Sequence, residues 1–495
     1  MAKFILILDS HRARNRKMAE KARKVLSYQD HFHLKVSDLR KALKLALSRG
    51  GDFADIFLEY SISRSILMEE DIIKESSENI AIGLGVRVIK KDRTGYAYTN
   101  DLSEEKIKIA AQTAAVIASS TGSGVATHFK QLKPRKDIAL VRSLATSSFL
   151  QKKIDLVQRA YHSAQRFDPV VKKVQAAYAE SIQQTWIINS EGLSARDTKP
   201  MVKLIAKAVT EKNGRREIGF YGGGGRVGLE YFYQKLRPEE IGREAAKEAY
   251  LLLDAVEPPA GEYPVILAPG DSGVLIHEAV GHLLEADFIR KKTSIFWNKL
   301  GKKVGSEQIT IYDDPTIPGL RGSYNLDDEG TLPTKTLLIE RGTVKGFLQD
   351  RLSARLMKKP LTGHGRRQDF SSWPVPRMSN IYIDRGEYAP EEIIHSVNKG
   401  FYVSRLSGGQ VEDSGKFTFS VTLGFMIENG QLTRPVKQAT LIGTNLDILQ
   451  KVNMVGSDLE FGLQTGTCSK EGQDVPVSDG CPTMKISRMT IGGLK

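Results

Sequence analysis

The sequence predicts a mixed α+β protein: an N-terminal α/β region of two sheet-and-helix units, then a strand-rich C-terminal domain. Three observations carry this. Helical and alternating apolar periodicities take turns up to about residue 253. A Pro258-Pro259-Ala-Gly261 break follows. Beyond it, short alternating segments and glycine turns dominate.

The chain splits into residues 1–34, 35–256 and 257–495 on this reading. The first segment is a basic extension. Residues 1–50 hold 13 Lys/Arg against 4 Asp/Glu, while the whole chain carries only +14. The charge is therefore concentrated at the start and the body is nearly balanced, which disfavours a nucleic-acid-binding enzyme. Residues 1–34 read as a solvated, disordered add-on rather than a nucleic-acid or membrane-surface arm.

Val36, Leu39, Ala42, Leu43, Ala46 and Leu47 recur at helical spacing, with Ser37 able to cap and Gly50-Gly51 to stop the helix. Residues 53–60, 62–68, 80–89 and 95–99 read as strands. Ser103-Glu104-Glu105 opens a helix that runs through Ala118, with acids where the helix dipole favours them. A linker is expected near 120–135. The second unit has a helix over 150–166, strands at 173–180, 184–189 and 201–210, a hairpin turn at Asn189–Gly192, and a helix from Pro238 to about Leu253. The C-terminal domain is expected to contain one helix, around 271–290, and a clear strand at 416–428.

Composition excludes other classes. Two Cys in 495 residues make neither a disulfide framework nor a CxxC knuckle. The Phe4–Leu8 apolar stretch is shorter than a signal-peptide core, and no run approaches the ~18 residues of a membrane span. The expected setting is the cytoplasm, without a membrane partner.

The chemical signal lies in His277-Glu278-Ala-Val-Gly281-His282. Two imidazoles are good zinc ligands, and an adjacent carboxylate can act as base on metal-bound water. The spacing differs from HExxH. On an ideal α-helix, i and i+5 stand about 140° apart, against about 40° for i and i+4. The two histidines converge only if the helix is overwound, bulged or broken, with Gly281 as the place for it. A catalytic zinc usually has three protein ligands. Glu285, His364, His395, Cys468 and Cys481 are the candidates for the third. Cys468 sits in a polar, turn-rich stretch that suits a functional loop residue, while Cys481 before Pro482 reads as structural.

Three further features take plain readings. Gly223, Gly225 and Gly228 match GxGxxG, but no helix opens there and no Lys-Ser/Thr follows, so the run reads as a backbone loop without a nucleotide. Asp313-Asp314 and Asp327-Asp328-Glu329 read as exposed turn acids. His364 and Arg366 are weak candidates for stabilising an oxyanion.

With these motifs in view, the chain resembles the TldD/PmbA family of zinc metallopeptidases, also called modulators of DNA gyrase, and specifically its TldD-type subunit. HEAVGH (277–282) is similar to the family's HExxxH. Further similar stretches are GLGVRVIKKDRTGYAYTNDLS (83–103), YGGGGRVG (221–228), DDEGTLPTKT (327–336), TGHGRR (362–367) and GTCSKEGQDVPVSDGCPTMKI (466–486). The likeness runs from about residue 35 to the end.

The resemblance implies His277, His282 and Cys468 as zinc ligands and Glu278 as the catalytic carboxylate, with no further cofactor-binding residues. It implies a peptidase for short or unfolded peptides, with zinc-bound water activated by Glu278. It also implies a dimer with a second copy or with a TldE/PmbA-like paralogue. A thiolate and two neutral imidazoles leave one net positive charge on such a site, which favours a water of lowered pKa. The competing expectations are a catalytically silent binding or regulatory subunit of such a complex, and a nucleic-acid-associated regulator.

Overall fold

The computed structural model describes residues 31–118, 129–132, 137–141, 144–411 and 415–492. The basic segment 1–30 and most of the expected 120–135 linker lie outside them. Residues 31–34, placed in the extension by sequence, are packed. Phe32 is buried near Trp186, and His31 stacks on Tyr60 with ring centroids 3.8 Å apart.

The N-terminal region repeats one pattern twice. Helix α1 (Val36–Ala46), strands β1 (Phe53–Glu69), β2 (Ile72–Lys90) and β3 (Arg93–Thr99) and helix α2 (Glu104–Ala118) form the first copy. After the short β4 (Lys130–Leu132), helix α3 (Leu150–Gln165), strands β5 (Val171–Asn189), β6 (Leu193–Lys212) and β7 (Arg215–Gly225) and helix α4 (Pro238–Leu253) form the second. The two expected units share one seven-stranded sheet, joined where β1 runs antiparallel to β5 with Ile62 opposite Ile182. Segments expected as separate strands, 53–60 with 62–68 and 173–180 with 184–189, are single strands of 17 and 19 residues. Polar residues at their middles interrupted the apolar pattern but not the ladder.

Both helix pairs cover the same sheet face. Leu39, Leu43, Ile107 and Ala111 pack on Ile56, Leu58, Val86 and Val88 at one end. Leu156, Ala160, Ile241 and Ala245 pack on Ile66, Tyr178, Leu204 and Ala206 at the other. The helices come close enough to need glycine. A Cβ at Gly95 would stand 2.1 Å from Ala114 O, and one at Gly219 would stand 2.1 Å from Ala245 O. Helix α1 begins after Lys35 without a side-chain cap, so Ser37 lies inside it. The glycine run 222–225, expected as a loop, ends strand β7 and pairs with Val202–Ile205. A Cβ at Gly224 would meet Val202 O at 2.0 Å, so the run is glycine because backbone approaches backbone.

In the C-terminal half, strands Gly261–Leu267, Met484–Gly492, Ala439–Thr444, Lys416–Glu428 and Lys399–Val411 pair in sequence. The last also pairs with the first, parallel, with Phe401 opposite Val265, which closes a barrel. A second sheet contains Thr336–Glu340, Ile311–Asp313, Asn380–Ile383 and Ser478–Cys481. The main core joins the two, with Leu275, Ile276, Ala279 and Val280 inside it. Short helices Arg351–Met357, Pro390–His395 and Asn445–Lys451 add to the one expected. Among the described residues no helix is long and apolar enough to cross a membrane.

The halves meet through buried charge, and here the reading of exposed turn acids is corrected. Asp313, Asp314, Asp327, Asp328 and Glu329 are all buried. Arg87 pairs with Asp55 and donates to Glu329 at 2.7 Å. Lys199 pairs with Asp328, which also accepts the Arg367 N–H at 2.9 Å. Asp313 accepts from Ser379 N–H at 2.9 Å. Paired and hydrogen-bonded, these acids are tolerated inside, and removing one partner would strand the other.

Glu59, buried beside this network, accepts the Phe370 N–H at 2.9 Å. Burial, with Asp369 and Asp328 adding repulsion, pushes its carboxyl up to about 7 from 4.5. The folded value lies above the unfolded one, so Glu59 costs stability progressively from about pH 4.5 to 7, and fully above that. Glu59→Gln is therefore expected to raise unfolding free energy at pH 8, by at most about 3 kcal/mol, and to gain nothing at pH 4. Urea melts at the two pH values test this, and a loss at pH 8 refutes it.

Candidate metal centre

Residues 271–291 are not one helix. A 3₁₀ turn at Asp271–Gly273 and a short α-turn at Val274–Ile276 lead into a π-helical turn at His277–Gly281. A 3₁₀ turn at His282–Leu284 and the helix Ala286–Lys291 follow. A π-turn closes i→i+5, which stacks His282 one turn beyond His277. The rings stand 5.1 Å apart at 81°. The widened turn thus solves the spacing of the motif. Gly281 has an ordinary helical φ of −57°. It is glycine because a Cβ would meet Met378 Sδ at 2.0 Å and Ile381 Cδ1 at 2.8 Å.

Cys468 comes from a distant hairpin, Thr467–Lys470 paired with Gln473–Pro476, whose turn places Glu471 and Gly472 at positive φ. It was expected on a polar loop, but it is a buried strand residue. Alternation turns Cys468 and Lys470 inward and Thr467 and Ser469 out. The fully buried Arg377 donates to Cys468 O and, at 3.1 Å, to Gln473 O, which pins both strands.

The ligand atoms of His277, His282 and Cys468 all lie within 4.8 Å of one another, with Cys468 Sγ 3.3 Å from His282 Nε2. Ligands at about 2.0–2.3 Å around a tetrahedral zinc stand roughly 3.3–3.8 Å apart, so the donors fit that ion in type and spacing. Each imidazole is held from behind. His277 Nδ1 donates to Asp479 at 2.7 Å, and His282 Nδ1 to Glu285 at 3.2 Å. Lys470 Nζ in turn donates to Glu285 and Asp287, both at 2.8 Å. Such carboxylates fix the tautomer and leave Nε2 for a metal.

Charge follows the geometry. Burial pushes both imidazoles down, but Asp479 and Cys468 carry His277 well above its ordinary value, and Glu285 and Cys468 carry His282 up to about 9. Burial raises the Cys468 thiol, yet His277 and His282 outweigh it and bring it down to about 5. The fold therefore favours a thiolate. Glu278 makes no contact of this kind. Its side chain is 32% exposed, with a carboxylate oxygen 3.9 Å from His282 Nε2.

The other candidates are occupied elsewhere. Glu285 supports His282, and buried His364 donates Nε2–H to Asp313 at 2.9 Å. His395 ends an exposed helix turn, and Cys481 Sγ donates to Pro482 O at 3.0 Å. Arg366 donates to Met378 O and Pro476 O. Sequence reasoning missed Asp479 and Lys470. Lys470 had one signal, its inward position two residues after Cys468.

Three family models match in order. They are PmbA/TldA metallopeptidase domain 1 over residues 54–118, the central domain over 145–253, and the C-terminal domain over 260–493. The "Metalloprotease TldD homolog" of Haemophilus influenzae is 38% identical over 93% of this chain and 97% of its own. The "Zinc metalloprotease TldD homolog" of Saccharolobus solfataricus is 27% identical over 92% of this chain and 99% of its own. TldE from Thermococcus kodakarensis shares the fold, with a TM-score of 0.70 at 22% identity, covering 92% of this chain and 99% of TldE. Fold and matches together define the class, a mixed α+β metallopeptidase. The chain belongs to the PmbA/TldD metallopeptidase family.

Proposed function

We propose that the chain is a zinc-dependent peptidase acting on short or unfolded peptides. His277, His282 and Cys468 would hold the metal and Glu278 would serve as catalytic carboxylate. The observation that carries this is the convergence of three donors within 4.8 Å, drawn from two distant segments. Two imidazoles and a thiolate suit zinc in softness and number. Bound there, zinc supplies Lewis acidity that polarises a carbonyl and lowers the pKa of water.

The chain's own groups do the rest. Asp479 and Glu285 keep the imidazoles oriented, and Lys470 holds Glu285 ionised at about 2 despite its burial. Glu278 reaches open space, where it takes a proton from the attacking water and returns it to the leaving amine. A cleft of ≈ 320 Å³ lies behind His277, lined by Asp479, Phe220, Val274, Leu463 and Ser478 among others. The nearly balanced charge of the body suits peptides better than nucleic acid. The fold shared with TldE fits a partnership with a second copy or a TldE/PmbA-like paralogue in the cytoplasm.

Metal analysis and hydrolysis of an unstructured peptide test this together. Bound zinc, activity lost on chelation and activity restored by zinc are expected. Undiminished hydrolysis by metal-free protein overturns the reading.

A further inference from the structure

We propose that Lys203 and Arg321 form a subsite for a carboxylate of the peptide, beside the hairpin that carries Cys468. The proposal rests on the peptidase reading and adds a substrate class to it.

The sheet face opposite the helices is open toward one end. There a cleft of ≈ 250 Å³ runs across β1, β5 and β6, floored by Ser63, Ser65, Ala179 and Ser181 and edged by Lys203 and Arg321. Small side chains leave room for an extended chain. Arg321 is fixed in place: its N–H donates to Gln464 Oε1 at 2.9 Å and its Nε to Gly466 O at 2.7 Å. Its outer nitrogens have poor partners, the Met201 thioether and, at 3.5 Å, Thr467 Oγ1. Lys203 lies two residues from Met201 on the same strand face.

Among the described residues, no acid offsets either cation. Burial and mutual repulsion lower Lys203, while burial and Arg366 bring Arg321 down to about 10. Buried Arg226, whose Nε is unpartnered, repels Arg321 as well, although Asp197 and Asp328 offset part of its charge. The acid bordering the cleft, Glu180, is already held by Lys153 at 2.6 Å and Tyr178 at 2.7 Å, and Arg64 pairs with Glu78. Half-buried cations without counter-charges are costly, and an entering carboxylate would relieve that cost. Arg321 grips Gly466 and Thr467, the two residues before Cys468. A peptide anchored there passes the hairpin edge with its carboxylate end toward the N-terminal sheet.

The carboxylate could be a peptide's C-terminus or an Asp side chain. Fluorescence anisotropy on the full-length Glu278→Gln protein, which keeps peptides intact, separates them. The probes are an Asp-containing peptide, its C-terminal amide and its Asp→Asn form. Neutralising the recognised carboxylate should weaken binding about tenfold to a hundredfold. An effect of the amide assigns the C-terminus, and an effect of Asn assigns the side chain. Adding Lys203→Gln, which leaves the Arg321 contacts to the hairpin intact, should remove most of the discrimination without weakening the neutral peptide. Equal binding of all probes, no binding, or discrimination unchanged by Lys203→Gln overturns the proposal. Because binding is read without turnover, a chain that discriminates carboxylates yet never hydrolyses peptides would lose the peptidase reading alone.

Discussion

Glu278→Gln is expected to lower peptide turnover by about 10²–10⁴-fold while leaving zinc content and thermal stability unchanged. The substitution keeps the shape of the side chain and removes its ability to take a proton. Glu278 is a third exposed and belongs to none of the buried pairs that hold the fold. It is not among the three converging donors, so metal affinity has no reason to fall. The loss should appear in kcat more than in KM, because the proton is transferred after the peptide binds. Unchanged turnover would remove Glu278 from the mechanism, and a parallel loss of zinc would make it a ligand instead.

Much of this centre was legible in the sequence, and the reason it was not all legible is physical. HEAVGH names its chemistry through residue types that few other roles combine. Its i, i+5 spacing even demanded a distortion, which the π-turn at His277–Gly281 supplies. Asp479 gave no such signal, since its tie to His277 spans 202 residues and an Asp in a turn-rich stretch looks like any surface acid. The acids at 313–314 and 327–329 failed the same way. Glu329 and Asp328 pair with Arg87 and Lys199, the nearer of which is 129 residues away, and Asp313 accepts from Ser379, 66 residues on; local polarity carries no trace of such partners. Long strands were cut short for a related reason. The middles of β1 and β5 face a partly open surface on one side, so polar residues there broke the alternation while backbone pairing continued.

Cys468→Ser is expected to cost more zinc affinity than any change behind the ligands. Cysteine sulfur is the softest donor of the three and the one that would bind zinc as an anion, and His277 and His282 already bring its pKa down to about 5. A serine hydroxyl in the same place stays protonated and is a harder, weaker donor for zinc. Competition with a chromophoric chelator should show the loss, and cobalt-loaded protein should lose its thiolate charge-transfer band. Lys470→Met sets the scale. It leaves all three donors in place but frees Glu285 and Asp287 from their shared cation, so His282 loses its firm support. Supporting residues of this kind are typically worth about 10–100-fold in affinity. If Cys468→Ser fell within that range, the thiolate would be an outer partner and the metal would rest on the histidines alone. The expected order, with Cys468→Ser far beyond Lys470→Met and the thiolate band lost only in the former, follows from Cys468 and Lys470 lying on one face of one strand. The first points its sulfur at the imidazoles, and the second braces the carboxylate behind one of them.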